Sequence, residues 1–133
     1  MSHIFVDTDK TLYKGAKAGK SQAKAEAKMQ EVVKRIIDKT SGFTTTKSDN
    51  AKGYTIMLGV SKVEIAGNKT KCSLTGEIRG YPGGHMISTS MNGNGAIDGT
   101  SEGSLLDCVE SVAEALVTKS VPIMRNYYPM LEK

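Results

Sequence analysis

An apolar run, His3 to Val6, leads directly into Asp7-Thr8-Asp9-Lys10-Thr11. The string places two carboxylates one residue apart at the end of a predicted strand, and Asp7 is the candidate to attack a phosphate. A carboxylate nucleophile divides one hard phosphoryl transfer into two easier steps through a covalent intermediate. The competing reading is structural. Asp and Thr recur where a strand gives way to a turn or a helix, because their short side chains bond the nearby backbone.

The Asp-x-Asp-x-Thr string resembles the first motif of haloacid-dehalogenase-like phosphatases. In that family the first Asp is the nucleophile, the second a general acid/base, and a strand end presents both to Mg²⁺. The resemblance implies Asp7 as nucleophile, Asp98 and Glu102 at the spacing of the distal acidic pair, and Lys69 or Lys71 as the phosphate lysine. The chain departs from the family where Lys10 replaces the usual Gly, and where Ile97 alone is apolar directly before Asp98. Such a core also needs alternating strands and helices that wind a parallel sheet, with the site at the strands' carboxyl ends. One helix followed by a run of hairpins is not that order. The string is therefore read as a solvated turn with a helix cap, and the phosphatase is the second alternative.

Other chemistry-bearing residues are sparse. Cys72 and Cys108 with His3 and His85 lie in no zinc-ligand spacing. The two cysteines are either buried thiols acting as small hydrophobes or a disulfide tying a strand to a helix, and the bridge is favoured in an oxidising compartment. Asn92 to Ser104 reads as a glycine loop between a strand and a helix, where phosphate cradles occur. Its Gly-x-Gly-x-x-x-Gly spacing misses the dinucleotide fingerprint, and no Gly-Lys-Ser/Thr string exists. These glycines are assigned to turns and strand ends, and no catalytic residue, metal or cofactor is expected.

The net charge of +4 is concentrated at the amino end. Lys10, Lys14, Lys17, Lys20, Lys24 and Lys28 recur every three or four residues, which on a helix aligns them on one face. They are the candidate contact for nucleic acid or another anionic surface. Only Tyr13 could serve as a stacking platform, and Lys outnumbers Arg, the better reader of phosphate. The competing reading is a solvated helix face. Tyr127, Tyr128 and Met130 form a second candidate patch, for a protein partner, if they do not pack onto the body.

The elements that must position these residues follow from periodicity. Ala25, Met29, Val32, Val33, Ile36 and Ile37 obey the helical rule, with Ser21 as the expected N-cap and Gly42 as the stop. Tyr54, Ile56, Leu58 and Val60 alternate at period two, whereas Val63 and Ile65 fall on the opposite parity. That mismatch predicts a β-bulge near Gly59–Lys62. Gly67-Asn68 has hairpin-turn chemistry, and Cys72, Leu74 and Ile78 face inward on the next strand. Met86–Met91 gives a third strand, and Gly95–Gly99 offers its continuation. Leu105, Val109, Val112, Leu116 and Val117 stripe a second helix, with Ser104 and Asp107 as its capping box and Pro122 as its end or as the start of a short terminal helix.

At 133 residues the expected organisation is a single domain spanning 1–133, with a basic arm at 1–20, a core at 21–124 and a tail at 125–133. The fold class is α+β: a two-layer sandwich with a mainly antiparallel sheet of three to five strands and two amphipathic helices on one face. No run is apolar and long enough to span a bilayer, and the first residues lack a secretory signal. The expected location is the cytoplasm as written, or the periplasm or envelope after removal of a leader.

The bent strand, the Gly-Asn hairpin, Tyr81 to Ser101 and Asp107 to Pro122 are similar to small α+β modules of bacterial envelope accessory proteins. These include the curli-secretion lipoprotein, the activator of penicillin-binding proteins and the TolB amino-terminal domain. The resemblance covers roughly Lys28 to Met124 on pattern and turn placement. It implies a non-enzymatic binding or assembly domain acting through protein–protein contacts, self-association included. A basic module contacting an anionic surface through Lys10–Arg35 is the first alternative.

Overall fold

The computed structural model describes residues 3–12 and 17–131, apart from the side chains of residues 89, 90, 130 and 131. Strand β1 (Ile4–Asp7) leads through a 3-10 turn at Gly19–Ser21 to helix α1 (Gln22–Asp38). The short β2 (Phe43–Thr44) precedes a meander of β3 (Gly53–Ala66), β4 (Lys69–Tyr81) and β5 (Met86–Asp98), and α2 (Glu102–Leu131) follows. The five strands form one sheet in the order β2-β1-β3-β4-β5. Its architecture is the expected α+β, and both helices pack into a single core on one face.

The meander follows its side chains. Tyr54, Ile56, Leu58 and Val60 of β3 are buried, and the register with β4 shifts between Val60 and Lys62. That bulge returns Val63 to the inner face, opposite Cys72, as the parity mismatch predicts. Residues 67 and 68 make the β3–β4 turn, with Gly67 at φ 64° in the left-handed region.

The amino-terminal strand is the parallel part of a mainly antiparallel sheet. β1 runs parallel to both neighbours, with Phe5 opposite Gly53 of β3 and opposite Thr44 of β2. Helix α1 is the crossover that makes this possible, because parallel strands need a long connection. A side chain on Gly53 would run into the Phe5 carbonyl, so glycine is what admits β1 there.

Helix α1 buries Ala25, Met29, Val32, Val33 and Ile37 as the periodicity requires. Its cap differs from expectation. Ser21 precedes the helix but makes no capping bond, and its hydroxyl instead donates to Glu102 of α2 at 2.7 Å. Helix α2 begins before the expected Ser104, and Ser101 is its cap, accepting the Ser104 N–H at 3.1 Å. It also runs through Pro122 to Leu131. An internal proline costs about 3 kcal/mol. Burial of Met124 contributes about 2–3 kcal/mol against it. The Tyr54 hydroxyl adds a buried hydrogen bond to the Met124 carbonyl at 2.6 Å, a net gain of about 1 kcal/mol. The two terms together offset Pro122; the helix also contains Pro129, in its last turn. Burial, reinforced by nearby Tyr128, pushes the Tyr54 hydroxyl up to about 12.

The largest departure lies in the glycine-rich stretch. Asn92 to Asp98, of which the sequence offers only the part from Gly95 as a strand continuation, is the regular half of β5, paired residue for residue with β4 from Thr75 to Lys69. Gly93 and Gly95 point inward under α2, where a Cβ would come within 2.8 and 2.7 Å of Val112 methyls. The glycines are there to let the helix lie close. Beside them Cys72 of β4 and Cys108 of α2 are joined as a disulfide, with both residues buried.

Two outcomes follow from this packing. Gly95→Val should lower unfolding free energy by about 1–3 kcal/mol through overpacking against Val112, read from urea midpoints. A variant as stable as the parent would mean that α2 does not rest on β5. Reducing the disulfide, which spans 36 residues, should cost about 3–4 kcal/mol. Paired denaturation curves with and without reductant measure it, and coincident curves would contradict a bonded pair.

Candidate functional site

The amino-terminal carboxylates are held by their own backbone. One Asp7 oxygen accepts the Asp9 N–H at 3.1 Å, and the other accepts the Thr55 hydroxyl at 3.4 Å. Opposite them Lys47 sits over the Tyr81 ring at 5.7 Å, while Phe5 meets Tyr81 edge-to-face at 4.9 Å. Contact with Tyr81 first, and then the Asp7 and Asp9 charges, hold the Lys47 ammonium above its ordinary range. The pair is thus balanced by a lysine across a shallow surface hollow.

Asp98 is nowhere near. Asp7 pairs with Thr55, whereas Asp98 is in register with Lys69 and through it with Ala66. The eleven residues from Thr55 to Ala66 span about 35 Å at about 3.3 Å per residue. Asp98 is instead 3.7 Å from Lys69, and Glu102 is engaged by Lys24. The acidic constellation implied by the phosphatase resemblance is not assembled. Among the described residues no three His, Cys, Asp or Glu side chains converge at metal-binding distance. His3 and His85 are both exposed, the first just ahead of β1 and the second in the connection between β4 and β5.

The lysine series does not form one helical face. Gly19, at φ 59°, interrupts the helix before Gln22. Lys10 lies in an extended segment whose Leu12 N–H donates to Leu58, and Lys10, Lys17 and Lys20 are exposed. Lys14 falls outside the described residues. Lys24 and Lys28 are on α1 but face α2, where they meet Glu102 at 2.6 Å and Glu110 at 3.8 Å. Arg35 extends this seam to Glu110 at 3.2 Å and Glu114 at 2.8 Å. Basic α1 and acidic α2 are therefore docked by complementary charge, a pairing that spacing within one helix cannot reveal.

The carboxyl-terminal aromatics divide. Tyr128 is half-buried, its ring 6.4 Å from that of Tyr54, while Tyr127 is 42% exposed. The side chain of Met130 lies outside the described residues. A shallow groove of about 770 Å³ runs beside Tyr128, lined by His3, Phe5, Thr46, Asp49 and Lys52.

The largest unpartnered feature is the sheet itself. The helices cover one face, and the other carries Ser61, Ser73, Thr75, Glu77, Arg79 and Asn94. These side chains bond mainly to one another: Ser73 donates to the Asn94 side-chain oxygen at 2.6 Å, and Thr75 to that of Asn92 at 3.1 Å. At one side β2 is two residues long, but at the other β5 is a thirteen-residue edge strand. From Met86 to Ile97 it holds no charged residue and no proline, the devices that usually protect an edge. The signal was present in the sequence as Asn-Gly-Asn-Gly, a period-two pattern with polar residues outward and no side chain inward. It was hidden because glycine ordinarily marks a turn.

No protein-family model and no curated protein matches the chain in sequence. Solved structures do match in shape. A candidate lipoprotein from Caulobacter crescentus is 12% identical over 80% of this chain and 85% of its own, with TM-score 0.50. A Xanthomonas campestris protein of the DUF330 family is 10% identical over 78% of this chain and 65% of its own, at 0.57. A PelC dodecamer from Paraburkholderia phytofirmans is 14% identical over 92% and 86%, at 0.47. At such identities the first two share the fold.

The helix seam has a pH signature. The Lys24 ammonium, followed by the Ser21 hydroxyl, holds the Glu102 carboxyl below its ordinary 4.5. A lowered folded value means stabilisation present above that range and lost as pH falls through it. The melting temperature should therefore drop as pH falls below about 4.5, with a shallower drop in Glu102→Gln and convergence of the two curves in acid. Parallel curves at every pH would remove the seam from the account.

Proposed function

We propose that this chain is a non-enzymatic accessory domain of the bacterial cell envelope that works by protein–protein contact, with strand β5 as its docking edge. The carrying observation is that edge: a long strand, uncharged from Met86 to Ile97, edge-on to solvent beside a polar sheet face. Strand addition gives affinity through main-chain hydrogen bonds and needs no deep pocket. The Cys72–Cys108 disulfide supports placement in an oxidising compartment, where such bonds persist. The fold shared with a candidate lipoprotein points the same way. No helix among the described residues is long and apolar enough to cross a membrane.

Thiol trapping in intact cells tests the compartment. Both cysteines should resist a maleimide until reductant is added, and immediate double labelling would refute an envelope location. A photo-crosslinking residue placed at Ala96 tests the edge. It should give protein adducts in cells that the same probe at exposed Lys39, beyond the end of α1, does not, and no adduct from position 96 would refute docking at β5.

A further inference from the structure

The geometry of β5 identifies its partner, which rests on the reading of that strand as a docking edge. Gly99 donates its N–H to Asn68 at 2.6 Å, continuing the β4–β5 ladder in which Lys69 opposes Asp98. Antiparallel residues alternate in the direction of their N–H and C=O groups. Residues in step with Gly99, namely Ile97, Gly95 and Gly93, therefore bond β4. Asn94 and Ala96 turn their N–H and C=O outward to the edge.

Only half of β5 can act as a template. Register shifts between Gly76 and Arg79 break the strand's first half, whereas residues 91–98 pair regularly. In a two-fold antiparallel pairing, inward side chains must face inward ones, so the axis passes through a residue. Near the middle of the regular half that residue is Asn94 or Gly95. An axis at Gly95 draws Asp98 into the pairing, while an axis at Asn94 confines the overlap to residues 91–97 and leaves that charge outside. Gly93 then opposes Gly95 of the second copy, and Asn94 opposes its own equivalent.

The helix above fits the same arrangement. Helix α2 straddles the last two strands, bonded to β4 through Cys72 and resting on β5 through Val112. Its axis lies about half a strand spacing inside the edge, so joining two edges at about 4.8 Å sets the two α2 axes about 10 Å apart. That is a packing distance for helices carrying small residues. Glu110 and Glu114 face α1, and the exposed residues on the opposite flank are the small Ser111 and Ala115, with Thr118 and Lys119 a turn further on. A lone foreign strand would leave that flank uncovered, whereas a second copy brings its own α2. The uncharged edge gives two identical copies no reason to repel.

We propose that β5 pairs antiparallel with β5 of a second copy across a two-fold axis at Asn94, merging two five-stranded sheets into one. Sedimentation of the full chain should give twice the monomer mass. Asn94→Cys, carrying the sole free thiol, should crosslink to a dimer on mild oxidation, while Lys39→Cys, on the far side of the domain, should not. Asn94→Lys places like charges opposite one another and should weaken association about tenfold or more, while the circular dichroism of the variant stays that of the folded chain. A monomer at the highest soluble concentration would overturn the proposal, as would a dimer indifferent to Asn94→Lys. So would a dimer in which Asn94→Cys gives no crosslink. A monomer whose position-96 probe labels a different protein would overturn self-pairing and leave the accessory role standing; no adduct at all would remove both.

Discussion

The close approach of α2 to the last two strands governs this fold. A helix can lie directly on a sheet only where the strands beneath present little side-chain volume. Here Gly93 and Gly95 supply that space under Val112 and Leu116. The Cys72–Cys108 bond fixes the same contact covalently from β4. Once α2 is down, its acidic flank faces α1 and its far end reaches Tyr54, so the placement of both other layers follows from it.

The second constraint is electrostatic. Lys24, Lys28 and Arg35 on α1 meet Glu102, Glu110 and Glu114 on α2 along one seam. Each pair is partly exposed and individually worth little. Their value lies in register, because a helix sliding along its neighbour would leave every charge unmatched. The seam also consumes lysines that a reading of charge alone would offer to an anionic partner, so complementarity within the chain is satisfied before complementarity to anything outside.

Function is read from what the packing leaves over. The buried face is filled, the amino-terminal carboxylates are balanced by Lys47, and the acidic residues further along are tied to lysines. What the fold does not satisfy is the hydrogen-bonding potential of its last strand, a main-chain property independent of any special side chain. An edge of this kind suits assembly, where affinity comes from backbone pairing and specificity from what stands beside it.

The sequence by itself determined whatever depends on near neighbours. The α1 stripe, the alternation of β3 and β4, the parity fault that became a bulge and the Gly67-Asn68 turn are local, because a helix repeats every 3.6 residues and a strand every two. Tertiary structure decided the rest. The parallel insertion of β1 depends on a crossover whose direction no local pattern encodes. The strand character of Asn92–Asp98 depends on α2 pressing from above, and the continuation of α2 through Pro122 on burial of Met124. Local chemistry names glycine a turn and proline a stop; contacts between residues distant in sequence outweighed both, since burial contributes free energy that propensity alone does not see.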